Sequence, residues 1–96
     1  MNRKLLEILA CPKDGNFPLD LYVFEEDDEI IAGIIICPKC KRWYPIQEKL
    51  PEMLPDALRD KMGEINFLSK WKSFAPQEIL ANGKPFNLSV KTQKEI

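Results

Sequence analysis

Apolar residues near the start of the chain fall at Leu5, Leu6, Ile8 and Leu9. That i, i+3, i+4 spacing suits one apolar helical face and predicts a short helix over residues 3–10. Cys11-Pro12-Lys13-Asp14-Gly15 then reads as a tight turn, because Pro, Asp and Gly are turn residues. Over residues 18–25 the period changes to two. Leu19, Leu21 and Val23 point one way, and Asp20, Tyr22 and Phe24 the other. After the acidic turn Glu26-Asp27-Asp28, residues 29–36 form a second strand, which makes the pair a β-hairpin. This strand places Ile30, Ala32, Ile34 and Ile36 on one face and Ile31, Gly33 and Ile35 on the other.

Cys37-Pro38-Lys39-Cys40 is a second turn, and residues 42–46 are a third short strand. Residues 50–55 are extended, since Pro51 and Pro55 push their predecessors out of the helical region. Beyond Pro55 the composition changes. Helices are predicted over 55–63, closed by Gly63, then over 64–75, and briefly over 76–80, with a turn at Asn82-Gly83 and a polar, frayed end over 87–96. The expected fold class is α+β: a small antiparallel sheet with an N-terminal helix, over 1–55, and a helical C-terminal extension over 56–96 packed on or beside it. Both faces of the hairpin are apolar. One small helix covers one face, so the other needs either Phe67, Leu68, Trp71 and Phe74 of the extension or another protein.

The 96 residues carry 14 basic and 15 acidic side chains, a net charge of −1, which argues against a dedicated nucleic-acid binder. There is no histidine, and the four glycines build no phosphate or nucleotide loop, so a self-sufficient enzyme is not expected. No run of apolar residues is long enough for a membrane span. The start is too short in apolar length for an export signal and is interrupted by Glu7. A cytoplasmic, reducing setting is expected, which favours ligands or free thiols over a disulfide for the three cysteines.

Cys11 and Asp14 stand three residues apart, as do Cys37 and Cys40, with a hairpin's length of chain between the pairs. Two such turns joined by a hairpin bring four donors to one tetrahedral ion in a zinc ribbon, each tight turn aiming two side chains at one point. Here the second donor is a carboxylate. Three readings stay open: Asp14 completes a zinc site; the thiols are empty and Asp14 bonds amides of its own turn; or Cys37 and Cys40 form a disulfide. Redox work by Cys37 and Cys40 lacks the strand-to-helix setting of such motifs, because strand-like residues follow Cys40.

Leu5-Leu6-Glu7-Ile8-Leu9-Ala10-Cys11-Pro12, then Cys37-Pro38-Lys39-Cys40-Lys41-Arg42-Trp43-Tyr44-Pro45-Ile46, then Leu50-Pro51-Glu52-Met53-Leu54 are similar, block by block, to the small zinc-ribbon family of the multifunctional methyltransferase-activating subunit and its short bacterial relatives. The resemblance covers roughly residues 1–55. It implies a non-catalytic, cytoplasmic subunit that binds no S-adenosylmethionine. Such a subunit forms heterodimers with class I methyltransferases of tRNA, ribosomal RNA and class I release factors, by adding a strand and covering an apolar surface, with RNA contact at most indirect. Three departures are visible: Asp14 replaces a cysteine, Lys41 stands where glycine is common, and Glu26-Asp27-Asp28 closes the hairpin where eukaryotic members carry a helical insertion. That compact form looks prokaryotic and, with the activating role that the resemblance implies, archaeal.

The expected partner surface comprises Leu50, Pro51, Met53 and Leu54, with Ile34, Ile36 and Trp43 on an apolar face of the hairpin. Prolines 45, 51 and 55 guard that edge, while Glu52, Met53 and Leu54 keep amides that can pair; the plainer reading is a stiff loop that packs Met53 into the core. A nucleic-acid-binding ribbon is the alternative, through Lys39, Lys41, Arg42, Trp43 and Lys49, against which stands a simple solvated face.

Overall fold

In the computed structural model, which describes residues 1–88, the alternating segments form a four-stranded antiparallel sheet in sequence order. Its strands are β1 (Asp20–Glu26), β2 (Ile30–Ile36), β3 (Trp43–Gln47) and the two-residue β4 (Leu50–Pro51). A helix over Arg3–Ile8 precedes the sheet, and a helical turn at Asp56–Leu58, α1 (Lys61–Lys70) and α2 (Gln77–Asn82) follow it. The expected α+β architecture is therefore present.

Four details differ from the sequence expectation. The first helix is of the tighter 3₁₀ type. Asn2 caps it by accepting from the Lys4 amide, and the Leu9 amide closes back on Leu6. Short helical pieces of this tighter kind are common; here Leu5 and Leu6 are only half-buried and Ile8 is exposed. Second, Ile30 faces away from Ile34 and Ile36. The β1–β2 register slips twice, leaving Phe24 extra on β1 and Ile31 extra on β2. Each extra residue inverts the alternation beyond it. Ile30 therefore joins Ile35 on the first face.

Third, α1 runs through Gly63 instead of ending there. A glycine inside a helix costs at most about 1 kcal/mol relative to alanine, and Gly63 stands in the first turn of α1. Burial of Ile65, and of Phe67 and Leu68 on the sheet, outweighs that. Fourth, part of the polar end is packed. Leu88 is half-buried against the core and its amide bonds the Leu80 carbonyl at 2.9 Å. The rest of the expected frayed end, 89–96, lies outside the described residues.

Two apolar clusters sandwich the sheet. On one face Met1, Cys11, Leu19, Ile30, Ile35, Cys37, Tyr44 and Ile46 are buried, with Leu5, Leu6, Leu9 and Met53 packed against them. On the other, Ile34, Ile36 and Trp43 are buried beneath Phe67, Leu68 and Ile79 of the extension. Gly83 permits the last approach: a Cβ there would lie 2.8 Å from Trp43 Cδ1 and 2.6 Å from the Ile79 carbonyl oxygen. The indole Nε1 donates to the Phe86 carbonyl at 2.8 Å.

The extension also closes the outer edge of β3 at its Trp43 end, which β4, paired only with Ile46 and Gln47, does not reach. The Trp43 amide donates to the Lys84 carbonyl at 3.1 Å. The Trp43 carbonyl accepts from Arg59 Nη2 at 2.6 Å. One turn further along, the Glu52 amide donates to the Pro45 carbonyl at 2.9 Å.

Candidate metal centre and flanking surface

The two cysteine turns have the same backbone build. The Gly15 amide returns to the Cys11 carbonyl at 2.8 Å, and the Lys41 amide to the Cys37 carbonyl at 2.9 Å. The fifth residue of each turn is left-handed, Gly15 at φ 74° and Lys41 at φ 68°. Glycine adopts that region freely, whereas a lysine is held there by its surroundings. One such constraint is the Lys84 amide, which donates to the Lys41 carbonyl at 3.0 Å.

This shared geometry brings Cys11, Asp14, Cys37 and Cys40 together, with donor atoms within 4.8 Å of one another. Cys11 Sγ lies 3.7 Å from Cys40 Sγ, and Cys37 Sγ lies 3.7 Å from both Asp14 oxygens. For zinc with ordinary bond lengths, a tetrahedron has an S···S edge of about 3.8 Å and an S···O edge of about 3.5 Å. The donors are thus already spaced for one ion. Cys11 and Cys37 are buried, Cys40 is partly so and Asp14 is exposed, a mouth on one side of an otherwise enclosed cluster. All three thiols are free.

Asp14 also serves its own turn, its Oδ1 accepting from the Asn16 amide at 2.9 Å. That hydrogen bond, above all, holds its carboxyl below the usual range. The two roles proposed for Asp14 are compatible, because one carboxylate has lone pairs for both. Burial pushes the Cys40 thiol up to about 11. Burial also opposes ionisation of Cys11, but hydrogen bonds from Tyr44 and the Asp14 and Lys13 backbone outweigh it and bring this thiol below its ordinary value. The Tyr44 contact, 3.2 Å from its hydroxyl to Cys11 Sγ, has no signal in the cysteine spacing; only the strand register places Tyr44 there.

The residues expected to meet a partner separate into two groups. Ile34, Ile36 and Trp43 are core, at 0%, 7% and 0% exposure, and the extension occupies their face. The expectation of an open hairpin face is corrected here: the extension supplies the cover. Leu50, at 66%, and Leu54, at 39%, are exposed. Pro51 is half-buried, and Met53 is half-buried against the first cluster, close to the plainer reading of that segment. The Glu52 amide is taken by Pro45, whereas those of Met53 and Leu54 have no partner among the described residues. Leu58 and Met62, 66% and 67% exposed, add apolar surface that the sequence reading did not single out.

Two of the four basic side chains in the cluster, Arg42 and Lys41, are paired. Arg42 forks onto Asp56 at 2.6 to 3.2 Å, which pushes its guanidinium pKa further up, and Lys41 pairs with Glu78 at 3.1 Å. No helix among the described residues is long and apolar enough to cross a membrane.

Comparison with known proteins places this geometry in a lineage. A family model described as Trm112p-like protein matches residues 2–48. A UPF0434 protein of Coxiella burnetii is 41% identical over 59 residues, covering 62% of this chain and 91% of that protein. A UPF0434 protein of Nitrosococcus oceani is 39% identical over 59 residues, covering 62% and 86%. Among solved structures, the chain is similar to a complex of the Haloferax volcanii Trm112 methyltransferase activator with a protein assigned as a methyltransferase. That match has 40% identity and a TM-score of 0.57, and covers 62% of this chain and 100% of the other.

Proposed function

The chain belongs to the Trm112p-like family, and we propose that it acts there as a non-catalytic subunit that activates and stabilises S-adenosylmethionine-dependent class I methyltransferases of tRNA, ribosomal RNA or class I release factor. The observation that carries this reading is the match along the full length of the Haloferax volcanii chain at 40% identity. The segment matched by the family model carries all four clustered donors. Zinc held by Cys11, Asp14, Cys37 and Cys40 would be structural, tying the two turns together and leaving no open position for a reacting water.

The partner surface is the stretch from Leu50 to Leu54. Leu50 and Leu54 are exposed, the Met53 and Leu54 amides are unpaired among the described residues, and the neighbouring edge of β3 is sealed. A partner strand laid along this stretch gains register from the backbone and burial from the leucines. The paired state of Arg42 and Lys41 weighs against the nucleic-acid-binding alternative. Strand β3, not a helix, follows Cys37 and Cys40, which weighs against a redox role.

The test is co-expression with candidate methyltransferases from the same source, followed by copurification and a methylation assay. Met53 packs on the core, so charge there would disturb the fold as well as the surface. Leu50→Asp/Leu54→Asp is the cleaner variant. Burying one leucine contributes roughly 1.5–3 kcal/mol, so complex formation is expected to weaken by well over about tenfold, with Lys61→Ala unaffected. A folded double variant that copurifies and activates like wild type would falsify the surface.

A further inference from the structure

Tyr44 connects the donor cluster to the helical extension. It is 1% exposed, and its hydroxyl sits 3.2 Å from Cys11 Sγ. The Arg59 guanidinium lies 4.9 Å from the centre of the Tyr44 ring and 5.3 Å from that of Trp43. Those two rings leave opposite faces of β3, so a guanidinium near both stands at the strand's edge. Arg59 is fixed there by two hydrogen bonds to Glu64 of α1, at 2.8 and 2.6 Å, and by its bond to the Trp43 carbonyl. The Arg59 and Glu64 side chains are only 0% and 6% exposed. Arg59 Nη1 has no hydrogen-bond partner among the described residues. A buried donor left unmade is costly, so the position of this guanidinium is set by the rings as well as by hydrogen bonds.

We propose that Tyr44 is the hydrogen-bond donor that steadies the Cys11 thiolate for a metal ion, and that Arg59 and Glu64 tie this donor to α1, so that metal loading and docking of α1 are linked. The inference rests on reading the four donors as a metal centre. A metal-bound thiolate can only accept, so the Tyr44 hydroxyl must donate to it. Donation is effective only while the ring is held, and the guanidinium restricts its tilt. Partners that orient a metal's ligands commonly matter to affinity by about 10–100-fold. Linkage is reciprocal: whatever factor α1 docking adds to metal affinity, metal adds to α1 docking. Arg59 and Glu64 lie beyond residue 48, where the family match ends.

The experiment uses the full chain and zinc as the probe, with affinity read by competition against a chelator. Tyr44→Phe keeps the ring and removes the hydroxyl; its zinc affinity is expected to fall by about tenfold. In Arg59→Met/Glu64→Leu, apolar groups replace both charges, so neither is left buried alone; affinity is expected to fall by about fivefold or more. Hydrogen exchange supplies a second readout. Zinc is expected to slow exchange in α1 of the wild type and to do so less in Tyr44→Phe. If the double variant does not fold, Tyr44→Phe and the wild-type exchange decide. A folded wild type that takes up no zinc overturns the metal reading and this inference with it. Wild type and Tyr44→Phe binding zinc equally, with α1 exchange indifferent to zinc, overturns the inference alone.

Discussion

At the scale of single residues, Asp14 decides the chemistry of the donor cluster. Its spacing from Cys11 is visible in the chain, but spacing alone does not separate a ligand from a turn residue. The fold shows both contacts, to the Asn16 amide and to Cys37. Thiolate is the softer donor, so Asp14→Cys is expected to tighten zinc binding by about tenfold or more. Chelator competition, with a thiol count alongside, measures this; unchanged affinity would remove position 14 from the ligand set. Tyr44 and Arg59 were not legible in this way. Their importance arises from a hydroxyl and a sulfur that meet across 33 residues of chain, and from a guanidinium at position 59 that meets the ring at position 44; no local pattern encodes such meetings.

At the scale of elements, the strands were legible from alternation, and the places where alternation failed are bulges. Nothing in Phe24 or Ile31 announces an extra residue; the slip is a property of the pair of strands. The β3–β4 connection carries a different conflict. Glu48 and Lys49 form a two-residue loop with φ of 51° and 71°. Tight hairpins favour Asn-Gly there, because other residues resist the left-handed region by about 1–2 kcal/mol each. Glu48→Asn/Lys49→Gly is therefore expected to stabilise the protein by about 1 kcal/mol or more. Denaturant unfolding should show a higher midpoint at an unchanged slope; a lower midpoint would mean that Glu48 or Lys49 contributes a contact worth more than the strain.

At the scale of the whole molecule, the extension is an integral cover. It buries Ile34, Ile36 and Trp43 and closes the outer edge of β3 through Arg59 and Lys84. A chain ending at residue 55 would present a large apolar face and an open strand edge, both of which promote association. Such a truncation is expected to bind a hydrophobic dye strongly and to elute as oligomers, where the full chain does neither. A truncated chain that stays monomeric and dye-free would show that the extension is dispensable for covering the sheet.

The sequence by itself determined the α+β class, the hairpin, the helical character of the C-terminal part and the four donors of the cluster, because each depends on local rules: period, turn chemistry and i, i+3 spacing. Tertiary structure alone decided which apolar residues are surface and which are core. Ile34, Ile36 and Trp43 look no different from Leu50 and Leu54 along the chain; all are apolar residues on or beside strands. Burial is set by what folds back over a residue. Here α1 and α2 fold back over the first three and leave Leu50 and Leu54 exposed beside the sealed edge.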